Sequence, residues 1–115
     1  MKPLLVLLAL GVLLGCEFGG KDREAARTLL AQHGCGTCHV IPDTPGANGR
    51  TGPPLTAMAR QAYVAGVLPN TREALARFIA DPQAVDPRSA MPDVGITPDE
   101  ARLLADYLYA VGSGS

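Results

Sequence analysis

The sequence predicts an all-α domain, and three observations carry that expectation. Apolar residues recur three and four apart in four stretches, each bounded by capping or breaking residues. The segments between them are dense in Gly and Pro. No convincing alternating run of strand type and no internal repeat is present. At 115 residues the chain has room for one domain. Its aromatic content, 4% with no Trp, is thin for a self-sufficient core of that size, and a large, flat apolar group held among the helices would supply the missing volume. The charge is nearly balanced, with 10 Lys+Arg against 11 Asp+Glu and no basic run, which argues against a nucleic-acid partner.

The first helix is expected from Asp22 to His33. Asp22 and Glu24 suit its N-terminal end, where carboxylates meet the positive pole of the helix dipole. Ala26, Leu29, Leu30 and His33 form one face, and Gly34 ends the turn. Asp43 to Pro54, with its Gly and Pro residues and Asn48-Gly49, reads as loop. Leu55 to Val64 reads as a short helix with Leu55, Met58, Ala59, Ala62 and Tyr63 inward, ended by Gly66. Asn70 and Glu73 fit an N-cap and its reciprocal acid, opening a helix whose Leu75, Phe78 and Ile79 share a face and which Asp81-Pro82 stops. Asp86 to Ile96 is a second loop. Thr97-Pro98-Asp99-Glu100 is a capping box with Pro at the first position, and Ala101, Leu104, Ala105, Leu108 and Val111 line the last helix.

The N-terminus reads as an address. Met1-Lys2-Pro3 is a short positive start, and the apolar run Leu4 to Leu14 is shorter than the roughly 20 residues a membrane span needs. The run ends Leu13-Leu14-Gly15-Cys16, which resembles a bacterial lipoprotein signal with Cys16 as the lipidated residue. An ordinary cleaved signal and a short anchoring helix are the alternatives. The expected organisation is a signal peptide over 1–15, a lipidated Cys and short tether over 16–21, the folded domain over 22–112 and a tail over 113–115.

One motif carries the chemistry: Cys35-Gly36-Thr37-Cys38-His39. On a helical turn the two thiols and the imidazole can share one side. Two thioethers then fix the rim of a haem and His39 Nε2 reaches its iron, the signature of c-type haem attachment. Zinc is a rival, since His33, Cys35, Cys38 and His39 are eligible ligands, but they are too crowded to form the usual separated pairs. A structural disulfide between Cys35 and Cys38 is a second rival. A thiol redox centre is a third and would call for a βαβ setting, which is not evident. Lipidation of Cys16 would leave no spare cysteine among the three.

Beyond that motif the chain runs through Gly34 to Pro42, then Gly52-Pro53-Pro54-Leu55, Leu68-Pro69-Asn70-Thr71, Pro82-Gln83-Ala84-Val85 and Ala90-Met91-Pro92. This ordered set resembles a bacterial subgroup of class I cytochromes c, and the likeness covers roughly residues 23–111. The resemblance implies the cytochrome c fold, helices packed around one covalently bound haem c, and electron delivery around terminal oxidases or periplasmic dehydrogenases. It implies that the Pro53 carbonyl holds His39 Nδ1, that Met91 is the second axial ligand, that Phe78 packs over the haem and that Tyr107 wedges against the crossing of the first and last helices. The resemblance also implies that many relatives carry Trp where this chain has Phe78; with no Trp here, its bond to a haem propionate is absent or replaced, and Arg60, Arg72 and Arg77 are candidate substitutes.

The residues themselves bear on the second axial ligand. Apart from Met1 the methionines are Met58 and Met91. Met91 lies in a Pro- and Gly-bounded loop that can present sulfur across the haem from His39, whereas Met58 sits at helical spacing with Leu55 and Ala62, the usual place of a core filler. His33 is too near Cys35 to reach the opposite haem face. The expectation is therefore an electron carrier or electron-transfer subunit rather than an enzyme, lipid-anchored on the periplasmic side, with redox proteins or a membrane respiratory complex as partners. A small haem enzyme or gas-binding module with an open or labile distal site is the alternative.

Overall fold

A computed structural model describes residues 18–113, so the signal-peptide and Cys16 expectations, and the last two residues of the tail, lie outside the described residues. Helices take up about half of the described chain: α1 (Gly20–Gln32), α2 (Cys35–Cys38), a 3-10 turn at Met58–Arg60, α3 (Arg72–Ala80), α4 (Pro82–Val85) and α5 (Pro98–Val111). Between the 3-10 turn and α3 lies an antiparallel hairpin, β1 (Tyr63–Val64) and β2 (Leu68–Pro69), with Tyr63 opposite Pro69 and Val64 opposite Leu68.

The first helix begins two residues before Asp22, with the Gly19 carbonyl accepting from Arg23 N–H at 3.0 Å. It ends as expected before Gly34, which adopts φ 68°, a left-handed conformation that glycine takes without a Cβ penalty. α5 is capped as its sequence dictates. Thr97 Oγ1 accepts from Glu100 N–H at 3.2 Å and Glu100 Oε1 accepts from Thr97 N–H at 3.0 Å, so two N–H groups that lack helical partners are satisfied reciprocally.

α1 and α3 both pack on α5. Ala26 of α1 and Ala101 and Ala105 of α5 are all 0% exposed, and their small side chains let the helices approach closely. Leu30, Leu104 and Leu108 fill the space around them, with Leu75 and Ile79 of α3 in the same core. Burial of each such leucine contributes about 1.5–3 kcal/mol relative to exposure.

The middle of the chain differs from its expectation. Leu55 to Val64 does not form a helix, and the reason is a set of competing hydrogen bonds. Asn70 Nδ2 donates to the carbonyls of Met58 (2.8 Å) and Gln61 (2.7 Å), and Asn70 N–H donates to Ala62 O (3.1 Å). Those carbonyls would otherwise accept within a helix. The chain instead turns at Ala65 (φ 52°) and Gly66 (φ 69°), closed by Val67 N–H to Val64 O at 2.9 Å, the doubly left-handed turn that suits a hairpin. With Asn70 engaged there, the α3 cap passes to Thr71, whose side chain accepts from Ala74 N–H at 3.0 Å. Asp81 ends α3 and its Oδ1 caps α4 through Ala84 N–H at 3.2 Å, while Pro82 at the first position of α4 is fully buried.

Candidate haem-attachment site

The motif Cys35-Gly36-Thr37-Cys38-His39 forms one turn. Thr37 N–H donates to Gly34 O (3.1 Å) and His39 N–H donates to Cys35 O (3.1 Å), which makes His39 the C-cap of α2. Cys38 follows Cys35 at the three-residue spacing that puts both thiols on one side of the turn, and His39 comes next as its extended C-cap. Both cysteines are free thiols and half-buried. Burial pushes the Cys35 thiol above its ordinary value of 9.0; a backbone hydrogen bond opposes the shift and the charge of Cys38 adds to it. Cys35 therefore stays protonated at neutral pH.

The loop after the motif folds back on the turn. Gly49 N–H donates to Gly36 O (3.0 Å), Gly52 N–H to Cys38 O (2.7 Å) and Leu55 N–H to Val40 O (2.8 Å), with a bridge between Val40 and Asn48. Side chains would obstruct this wrapping. A Cβ on Gly49 would run into the Thr37 carbonyl, and one on Gly52 would lie 2.5 Å from His39 Cε1 and 2.8 Å from Nδ1.

The backbone laid against the imidazole ends at the Pro53 carbonyl, 2.6 Å from His39 Nδ1. A carbonyl can only accept, so Nδ1 carries the proton and Nε2 keeps its lone pair free for a metal. Such a carbonyl fixes both tautomer and ring orientation of a ligating histidine.

These residues fit a c-type haem: two free thiols and an oriented imidazole on one turn, with a glycine backbone leaving the ring its space. Among the described residues no group of three or more His, Cys, Asp or Glu side chains is placed to hold a metal ion. His33 is half-buried at the C-cap of α1.

Met91 lies in the segment between α4 and α5 and is half-buried. Its backbone is held on both sides, the carbonyl accepting from Gln83 Nε2 at 2.7 Å and the N–H donating to Ser89 Oγ at 3.2 Å. Met58 is 7% exposed, and its backbone sits against Gly112 at the end of α5, where a Cβ would lie 2.7 Å from Met58 N. Phe78 is half-buried beside the core. Arg60 and Arg77 are exposed, while Arg72 stacks over the Tyr109 ring (5.6 Å) and pairs with Asp106 (3.5 Å).

Tyr107 is fully buried and does more than wedge. Its hydroxyl donates to Asp43 O (2.8 Å), accepts from Arg27 Nε (3.2 Å) and lies 2.8 Å from Thr44 Oγ1. Arg27 also reaches Asp43 Oδ2 at 2.6 Å. α1, α5 and the loop that follows the motif are thus tied at one point. Sequence reading missed this node because its members are far apart along the chain. On the same helix the Tyr109 hydroxyl bonds Asn70 Oδ1.

Comparison with protein-family models, with curated proteins and with solved structures found no match.

Proposed function

We propose that this chain is a monohaem c-type cytochrome that passes single electrons on the periplasmic side of a membrane, as a lipid-anchored carrier or as a subunit of a larger oxidoreductase. The observation that carries this reading is the turn Cys35–His39 with its imidazole tied through Nδ1 to the Pro53 carbonyl. Cys35 and Cys38 would attach the haem, and His39 Nε2 and Met91 Sδ would hold its iron. Bound there, haem c supplies a single iron that alternates between ferric and ferrous states.

The chain's own residues serve that role by holding still. Pro53 and Gly52 fix the His39 ring, the Tyr107 node fixes the loop carrying them, and the capped α4 segment fixes the backbone at Met91. A rigid ligand set changes little on redox cycling, which keeps reorganisation small. The anchor agrees with a domain held close to its membrane. Phe18 packs on the buried Tyr107 ring with centroids 6.0 Å apart. That packed position is two residues after a lipidated Cys16, a reach of about 7 Å when extended. The donor is then a respiratory or dehydrogenase partner, and the acceptor a terminal oxidase or similar protein.

The test is an optical spectrum of the chain produced in a host that attaches c-type haem. The expected result is covalent, low-spin haem with the weak iron–sulfur band of methionine ligation, lost in Met91→Leu. High-spin or CO-reactive haem would replace the carrier by an open-site haem enzyme or gas-binding module. Failure to attach haem would end the cytochrome reading.

A further inference from the structure

α4 is a four-residue helix, and Gln83 is its one side chain with a polar amide. That amide uses both of its N–H bonds on a single neighbouring segment, donating from Nε2 to Ser89 O (3.1 Å) and to Met91 O (2.7 Å). The segment is tied further by Ser89 N–H to Asp86 O (2.9 Å) and by Met91 N–H to Ser89 Oγ (3.2 Å). The platform itself is fixed, because Pro82 is fully buried, Asp81 caps the helix and α4 packs on α3. An exposed glutamine at such a position ordinarily solvates itself. Here it joins two alternate carbonyls of the chain around Met91.

We infer that Gln83 is a positioning residue for Met91: it sets how far the methionine can withdraw from its ligating position and so guards the distal side of the iron against incoming ligands. The inference rests on the reading of Met91 as the second axial ligand. Without the clamp the Met91 carbonyl loses its protein donor and the backbone there is held by the Ser89 hydroxyl alone. The cost falls on the state in which the weaker sulfur bond must compete with an external ligand, which is the ferric protein.

The probe is imidazole, titrated against the ferric, haem-loaded full chain while the iron–sulfur band is followed. Gln83→Met removes both donors at nearly constant length. Gln83→Glu keeps the length and places a carboxylate against two carbonyls. Both substitutions are at an exposed residue, so the fold persists. Loss of two hydrogen bonds predicts displacement of Met91 at about tenfold lower imidazole, with a larger shift for the Glu variant. Ser89→Ala, which removes the other tie on Met91 N–H, shifts the midpoint in the same direction.

A midpoint within about twofold of the parent in both Gln83 variants overturns the inference, even if their urea stability falls, since Gln83 would then only brace the loop. If the parent itself shows no iron–sulfur band, or Met91→Leu keeps that band, the ligand reading fails and this inference fails with it. The two failures are told apart by the parent and Met91→Leu spectra alone.

Discussion

Replacing Gly52 by Ala tests the placement of the His39 ring. A Cβ at this position lies 2.5 Å from His39 Cε1, 2.8 Å from Nδ1 and 3.0 Å from Nε2. Relaxed carbon–carbon contact is about 3.5–4.0 Å, so the ring or the Gly52-Pro53 backbone must give way by about 1 Å. Movement of that size along the Nδ1 to Pro53 O bond, 2.6 Å at rest, takes it to the edge of hydrogen-bonding range. Overpacking of this kind costs about 1–3 kcal/mol and the strained bond about 0.5–1.5 kcal/mol. Lower entropy of the unfolded chain returns about 0.4–1 kcal/mol. The expected net loss is about 2 kcal/mol, within a span of about 0.5–4 kcal/mol. The assay is urea unfolding of the haem-loaded parent and Gly52→Ala, with Gly20→Ala as control, because nothing lies within 4 Å of a Cβ at Gly20. Under the proposed function, displacement of the ring would also weaken His39 ligation, which the optical spectrum reads separately. A Gly52→Ala protein within about 0.5 kcal/mol of the parent and with its spectrum unchanged would refute the placement of the ring between Gly52 and Pro53.

Three further outcomes are expected. Met58→Ala, at a buried site, lowers stability by about 2–5 kcal/mol yet leaves the iron–sulfur band in place; loss of that band in a folded variant would move the ligand from Met91 to Met58. Tyr107→Phe removes the hydroxyl that joins Arg27, Asp43 and Thr44 and costs about 1–3 kcal/mol, read as a lower urea midpoint; an unchanged midpoint would show that the node carries no stability. The bond from Thr97 N–H holds the Glu100 carboxyl below its ordinary value of 4.5. The folded chain therefore binds this proton more weakly than the unfolded chain. The contribution is present above about pH 4.5 and is lost as pH falls through the folded value. Glu100→Gln removes that part of the acid-side decline, and a parent and variant with parallel stability profiles from pH 3 to pH 6 would contradict it.

Local signals were sufficient wherever the deciding contacts lie within one turn of chain. Thr97-Pro98-Asp99-Glu100 specifies its capping box through residues three apart, and the structure contains that box. Gly34 ends α1 because a left-handed residue is needed there. The spacing of Cys35, Cys38 and His39 places all three on one turn, and resemblance supplied the Pro53 partner that geometry then joins to His39. The Leu55–Val64 stretch failed for the opposite reason. Its apolar spacing fits a helix, but Asn70, outside the stretch, takes the carbonyls of Met58 and Gln61. The same remote engagement moved the α3 cap from Asn70 to Thr71.

By itself, then, the sequence determined the α5 capping box, the end of α1 before Gly34 and the spacing of Cys35, Cys38 and His39 on one turn, because caps, breakers and three- and four-residue spacings act over a few residues. Only the tertiary structure decided how the Gly49–Leu55 backbone wraps the turn, that Tyr107 joins α1, α5 and the Asp43 loop, and that Gln83 holds the carbonyls of Ser89 and Met91. Those contacts depend on which carbonyls remain unpaired and lie within about 3 Å of a donor once the helices have packed. No pattern confined to one segment encodes that.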